Sequence, residues 1–277
     1  MLALLAAAPA LLPRAHLRTR APRMECVEKF AISKEIKSVS VFDGDFAEEI
    51  REAVTQVATQ CIAEKGSFSL AIPGGSVVAA LGALAPNAFD MQKMHLFLCN
   101  EKLPSAPCLA GALEAAGRLG VPAAQVHGYA AASPAEAAAQ YAALLESHPA
   151  VDNEGALPSF DMMLLGTGAD GHCGCVFPQS AEVKATGAGR VALAGNDPRA
   201  DGDFVALSID VMCAAKVVLV SAAGAARAPM VAKALSGDFD RFDCPVGLVE
   251  AVDQTLWFTD TESIAVFDEQ DMEEVDE

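Results

Sequence analysis

FDMMLLGTGADGHCGCVFP, from Phe160 to Pro178, decides how this chain is read. Its first part is an uninterrupted apolar run, Met162 to Leu165; its second carries glycines at 166, 168, 171 and 174. A short apolar run bounded by turn residues fits a strand buried on both faces. Glycine tolerates the tight backbone turns that other residues reach only with strain. The stretch therefore predicts a central strand that runs directly into a loop rich in polar chemistry.

The same grammar repeats on both sides. Upstream, SVSVFD (Ser38 to Asp43) reads as a strand, and the following segment places Phe46, Ile50, Val54, Val57 and Cys61 at helical spacing before Gly66. FSLAIPGG is a strand entering a glycine turn, VVAALGALA is helical, and MHLFLCNEK (Met94 to Lys102) is a strand with a polar end. A helical block covers Gly111 to Leu119. SPAEAAAQYAALLES opens with Ser133 as cap, Pro134 at the first helical position and Glu136 placed for a capping box. Downstream, VALSIDVMCAA is a strand followed by a short helix. KVVLVSAAG is a strand, ARAPMVAKALSG a helix closed by glycine, and TLWFTD a last strand. Apolar strands alternating with helices predict a single α/β domain with a doubly wound, largely parallel sheet and helices on both faces.

The chain has 277 residues, 52% of them hydrophobic, and a formal net charge of -18. That acidity argues against nucleic acid and anionic membranes as partners, because long-range repulsion opposes both. An anionic small molecule remains compatible wherever cations and backbone N–H groups converge. No apolar stretch of the body reaches the roughly 18–20 residues of a membrane span. Eight cysteines without a CxxC pair read as thiols in a reducing compartment. Residues 1–24 carry four arginines and no acid, the pattern of a removable organelle-targeting leader, plastid before mitochondrion; without such a leader the protein is expected in the cytoplasm. Residues 30–265 form the domain, and residues 266–277 an acidic, disordered tail. A monomer or weak homodimer is expected.

In doubly wound sheets ligands bind beyond the carboxyl ends of the strands. Three predicted strand ends carry unusual chemistry: PGGS, CNEK and GTGADGH. Gly74 and Gly75 leave backbone N–H groups uncovered, and Ser76 adds a hydroxyl at a helix start, which favours an anion. Neither GKS/GKT nor GxGxxG is present, so this is no Walker or dinucleotide loop. Asn100, Glu101 and Lys102 place an acid and a cation at the second end. At the third, Asp170 lies beside His172, where a carboxylate can orient an imidazole as a general base. Cys173 and Cys175 raise the rival idea of a metal, but Cys-x-Cys with one adjoining histidine lacks the usual zinc spacing. No metal and no cofactor are expected. His95 and Trp257 are read as structural, and Lys233 as solvent-facing. Arg190 and Arg199 lie in a polar connection between strands, from which one of them could reach the ligand.

Taken in order, the three segments resemble the 6-phosphogluconolactonases, within the wider glucosamine-6-phosphate isomerase/deaminase superfamily. LLGTGADGHCGCVFP is similar to that family's LLGxGxDGHxASLFP stretch, PGGS to its SGGS loop, and NEKLP to its Asp-Glu-Arg-x-Pro stretch. The segment LSIDVMCAAKVVLVSAAGAARAPMVAKAL resembles the part of the family that ends in Gly-x-x-Lys. The resemblance implies hydrolysis of 6-phospho-D-glucono-1,5-lactone, a sugar phosphate, without a cofactor. It implies His172 as the base that activates water and Asp170 as its partner, with Gly171 and Glu101 in the substrate site. Gly74, Gly75 and Ser76 would cradle the phosphate. Arg227 would stand for the family lysine, and Lys102 for its arginine. Three departures stand out: Asn100 for aspartate, Lys102 for arginine, and Cys173-Gly174-Cys175 for threonine-alanine-serine. They keep a catalytically reduced sugar-phosphate-binding protein as an alternative. The deaminase branch shares Asp-Gly-His but follows it with a nearby glutamate, whereas here none occurs before Glu182.

Overall fold

A computed structural model describes residues 26–32, 37–74, 78, 81, 84–129, 133–200 and 202–267. Gly75 and Ser76, the 1–24 leader and residues 268–277 of the tail lie outside the described residues.

Eight strands form the main sheet in the order β1-β2-β11-β10-β7-β3-β4-β6. They are β1 (Cys26–Ile32), β2 (Lys37–Phe42), β3 (Phe68–Ile72), β4 (Met94–Leu98), β6 (Val126–His127), β7 (Met162–Gly166), β10 (Val217–Ala222) and β11 (Gln254–Asp260). Every pairing is parallel except the edge pair β1–β2. The doubly wound reading is therefore right for the body, and β1 is an antiparallel addition that the alternation did not show. From β3 the chain winds outward through β4 and β6. From β7 it winds the other way through β10 and β11. The switch lies between β3 and β7, where a crevice opens at the carboxyl ends.

Burial explains the strand sequences. Phe68, Leu70, Ile72, Met162 to Leu165 and Val218 to Val220 are almost wholly buried. Helices Ala47–Lys65, Pro107–Leu119, Pro134–Ser147 and Ala228–Ser236 supply the covering layers. Ser133 caps its helix as expected, accepting the Glu136 N–H at 3.3 Å. Tyr141 ties that helix to β4, its hydroxyl accepting the Leu98 N–H and donating to the Leu98 carbonyl. Trp257 is fully buried, consistent with a structural role. No helix among the described residues is long and apolar enough to cross a membrane.

The single strand expected over Met94 to Lys102 is in fact two. It divides at Cys99, whose N–H bonds the Ile72 carbonyl of the main sheet. The Cys99 carbonyl instead accepts the Leu207 N–H of a second sheet, at 2.7 Å. That sheet is small and antiparallel, in the order β5-β9-β8, and consists of β5 (Asn100–Leu103), β8 (Ala192–Asn196) and β9 (Asp203–Leu207). Hydrophobic periodicity cannot distinguish one strand from two collinear ones that change partners. The change of sheet brings the β8–β9 connection over the crevice.

Candidate active site

A cavity of about 610 Å³ occupies the crevice. It is lined from β3 by Pro73 and Gly74, from β5 by Asn100 and Lys102, and from the loop after β7 by Thr167, His172 and Cys175. Arg199 enters from the β8–β9 connection, and Ser221 and Arg227 from β10 and the turn beyond it. The three strand ends expected to converge do so.

The loop after β7 is built to hold His172. The Gly168 N–H bonds the His172 carbonyl at 3.1 Å, and Cys173 bridges to both Thr167 and Val176. The His172 ring packs directly on Gly168: a Cβ there would lie 2.2 Å from both Cε1 and Nδ1. Gly168 is thus required by close approach. His172 Nδ1 lies 2.5 Å from Asp170 Oδ1, and the same oxygen accepts the His172 backbone N–H at 3.2 Å. Burial raises the Asp170 pKa, but these bonds outweigh it and hold the carboxyl below its ordinary value. An ionised Asp170 favours the tautomer with the proton on Nδ1 and the lone pair on Nε2.

Arg199 completes this corner. Its Nη1 is 3.4 Å from both ring nitrogens of His172, and its guanidinium lies over the Phe177 ring at 4.4 Å. Asp197 accepts from the Arg199 backbone and guanidinium, and forms an ion pair with Lys102 Nζ at 3.1 Å. Burial alone would raise the Asp197 pKa; Arg199 and Lys102 instead hold it down at about 2. Asp197 thereby fixes two flexible cations at the cavity mouth. Of the two arginines that the sequence left open, Arg199 is the one at the site. Arg190 lines a different hollow, against the helix Pro134–Ser147.

Arg227 is held differently. Its Nε donates to the Thr167 carbonyl at 2.8 Å and its Nη1 to the Ala223 carbonyl at 2.6 Å. No ion pair forms on it among the described residues, so its charge is available to an anion. The turn before it is pinned by Asp260, which accepts the Gly224 N–H at 2.8 Å.

Two expected site residues lie elsewhere. Glu101 is fully buried and its carboxylate accepts the N–H groups of Lys102, Cys108 and Leu109 at 2.7, 3.1 and 2.7 Å. It serves the helix Pro107–Leu119, whose first N–H groups have no intrahelical partner. Gly171 has φ +84° and a Cβ there would meet Cys244 Sγ at 3.0 Å, so it shapes the loop without lining the cavity. Asn100 is in place, but its amide donates to Cys175 Sγ at 3.1 Å. The two departures from the family pattern, Asn100 and Cys175, thus touch each other. Burial raises the Cys175 pKa to about 11, and Cys173 is raised further still. Both thiols are protonated at neutral pH, and Cys173 faces the Met212 sulfur at 3.9 Å. Sequence reasoning missed Ser221 and Asp197; neither carries a motif, and Asp197 enters only through the second sheet.

The cavity lies at the switch point of a doubly wound sheet, and the chain belongs to the family of glucosamine-6-phosphate isomerases/6-phosphogluconolactonase, whose model matches residues 43–257. A 6-phosphogluconolactonase of Streptomyces coelicolor is 33% identical over 215 residues, covering 72% of this chain and 82% of that one. A probable chloroplastic 6-phosphogluconolactonase of Oryza sativa is 25% identical over 245 residues, covering 82% and 75%. The solved 6-phosphogluconolactonase of Thermotoga maritima superposes with a TM-score of 0.68 at 18% identity, over 81% of this chain and all of that one, which shows a shared fold.

Proposed function

We propose that this protein hydrolyses 6-phospho-D-glucono-1,5-lactone to 6-phosphogluconate, the lactonase step of the oxidative pentose phosphate pathway, with His172 as general base. The observation that carries the reading is the His172–Asp170 pair on a cavity that Arg227 also lines, with no ion pair on Arg227 among the described residues. Water attacks the lactone carbonyl while His172 Nε2 takes its proton. The tetrahedral oxyanion collapses, the ring C–O bond breaks, and His172 returns the proton to the departing oxygen. Arg199 is the nearest cation to His172 and supports the developing oxyanion. Arg227 and Gly74, which line the same cavity, suit the phosphate, which gives binding energy remote from the reacting carbon. Gly75 and Ser76 belong to the same phosphate loop in this reading. The Streptomyces and rice relatives carry the lactonase name, which favours this branch of the family over the isomerases.

The test is turnover by the purified protein of freshly generated 6-phosphogluconolactone, with spontaneous opening subtracted. Glucono-1,5-lactone and glucosamine-6-phosphate are measured in parallel. Fast opening of the phosphorylated lactone alone is expected. Ammonia release from glucosamine-6-phosphate points to the deaminase branch. Binding of 6-phosphogluconate without turnover points to the binding protein. We also place the protein in the plastid, from the acid-poor, arginine-bearing leader and the chloroplastic rice relatives. Import into isolated chloroplasts of a reporter fused to residues 1–24 tests that assignment.

A further inference from the structure

We propose that His95, His127 and His148 form a binding site for one divalent transition-metal ion of the zinc, nickel or copper class. The three come from separate elements: His95 from the start of β4, His127 from the edge strand β6, and His148 from the cap of the helix Pro134–Ser147. They meet beside the edge strand of the sheet, and none of them lines the cavity. One donor nitrogen from each lies within 4.8 Å of the others. His95 Nδ1 and His127 Nε2 are 3.3 Å apart. Two nitrogens bound at about 2.0–2.1 Å to a tetrahedral ion lie about 3.3–3.4 Å apart, so this pair already spans one edge of such a site.

Chemistry selects the ion. Three neutral imidazoles suit zinc, nickel and copper, and are poor ligands for magnesium or calcium. All three side chains are half-buried, so an ion can enter and a water can take a fourth position. Phe97 backs the cluster, its ring 4.6 Å from His127 and 5.0 Å from His148. The nearby Lys65 is held by Asp161 at 2.8 Å, which reduces its repulsion of a cation. Loading shifts the proton shared between His95 Nδ1 and His127 Nε2 to an outer ring nitrogen, and His148 needs a further adjustment. Its Nδ1 accepts the Ala150 N–H at 3.1 Å. Ligation through Nδ1 uses that lone pair, and ligation through Nε2 places a proton on Nδ1. Either way the Ala150 bond is lost on loading. The ion would tie an edge strand of two residues to β4 and a helix end, which makes it a structural clip.

The experiment titrates the chelator-stripped full chain with Co2+. One ion per chain is expected, with d–d bands of nitrogen and oxygen ligation and no thiolate charge-transfer band. Zn2+ should displace it and raise the melting temperature. His95→Gln, His127→Gln and His148→Gln should each weaken binding at least about tenfold, as loss of support at metal sites does. In chelator each should melt close to the parent. The Ala150 amide gives a readout that needs no variant, because its hydrogen exchange should accelerate on loading. No bound ion, an ion with thiolate bands, binding that survives all three substitutions, or an Ala150 amide unchanged on loading overturns the proposal.

Discussion

Replacing Gly168 by alanine adds one methyl group in contact with the proposed base. The new Cβ would sit 2.2 Å from two atoms of the His172 ring and 2.4 Å from Asp170 Oδ1. Ordinary contact needs at least about 3.4 Å, so the ring or the carboxylate must move by about 1 Å. Misplacement of a reacting group by about 1 Å can cost about 100-fold in rate. The Gly168 backbone does not adopt a left-handed conformation, so alanine adds no strain of that kind. We therefore expect Gly168→Ala to fold, to melt within a few degrees of the parent, and to lose about 100-fold in kcat on the lactone. Gly117→Ala is the control. No atom lies within 4 Å of a Cβ there, and the site is an exposed helical position, so about 0.5–1 kcal/mol of added stability and unchanged turnover are expected. Stopped-flow acidification and thermal melts measure both. A Gly168→Ala enzyme within threefold of the parent would refute the claim that this packing holds His172 in working geometry.

Arg227→Ala should raise KM for the phosphorylated lactone at least about tenfold with a smaller change in kcat, since it removes an ionic contact remote from the reacting carbonyl; initial rates against substrate concentration decide it. Glu101→Gln should cost about 2 kcal/mol and several degrees of melting temperature, because an amide cannot accept all three N–H groups that the carboxylate now satisfies. The Asp197 carboxyl, lowered from 3.8 to about 2, contributes stability that is complete above about pH 4 and is lost as pH falls toward 2. Denaturant melts of parent and Asp197→Asn should accordingly differ by about 1–2 kcal/mol at pH 7 and converge in acid, the exposed partners Lys102 and Arg199 setting the low end of that range.

The parts of this protein that could be read from sequence are those where one residue type has one physical meaning. The apolar run Met162 to Leu165 had to be a buried strand, and the glycines after it had to be a turn, so the placing of Asp170 and His172 on one loop at a strand end could be read from the sequence. Arg227 was named only through the family resemblance, at the place of its Gly-x-x-Lys lysine; no periodicity or turn signal singled it out. Glu101 was misassigned for an equally physical reason. A carboxylate at a strand end can face a ligand or cap the next helix, and only the position of Pro107–Leu119 shows that it caps. Arg199 and Asp197 were unreadable in their roles because the second sheet that carries them depends on Cys99 changing partners, which leaves no periodic trace. The coupling of Asn100 to Cys175 across 75 positions likewise exists only in three dimensions.

The most direct test of the central claim is the initial rate on fresh 6-phosphogluconolactone for the parent and His172→Ala, with 6-phosphogluconate binding measured on both. The account predicts that the variant binds the product as the parent does and opens the lactone no faster than water alone. A variant that accelerates opening as well as the parent would contradict the role of His172 as the base.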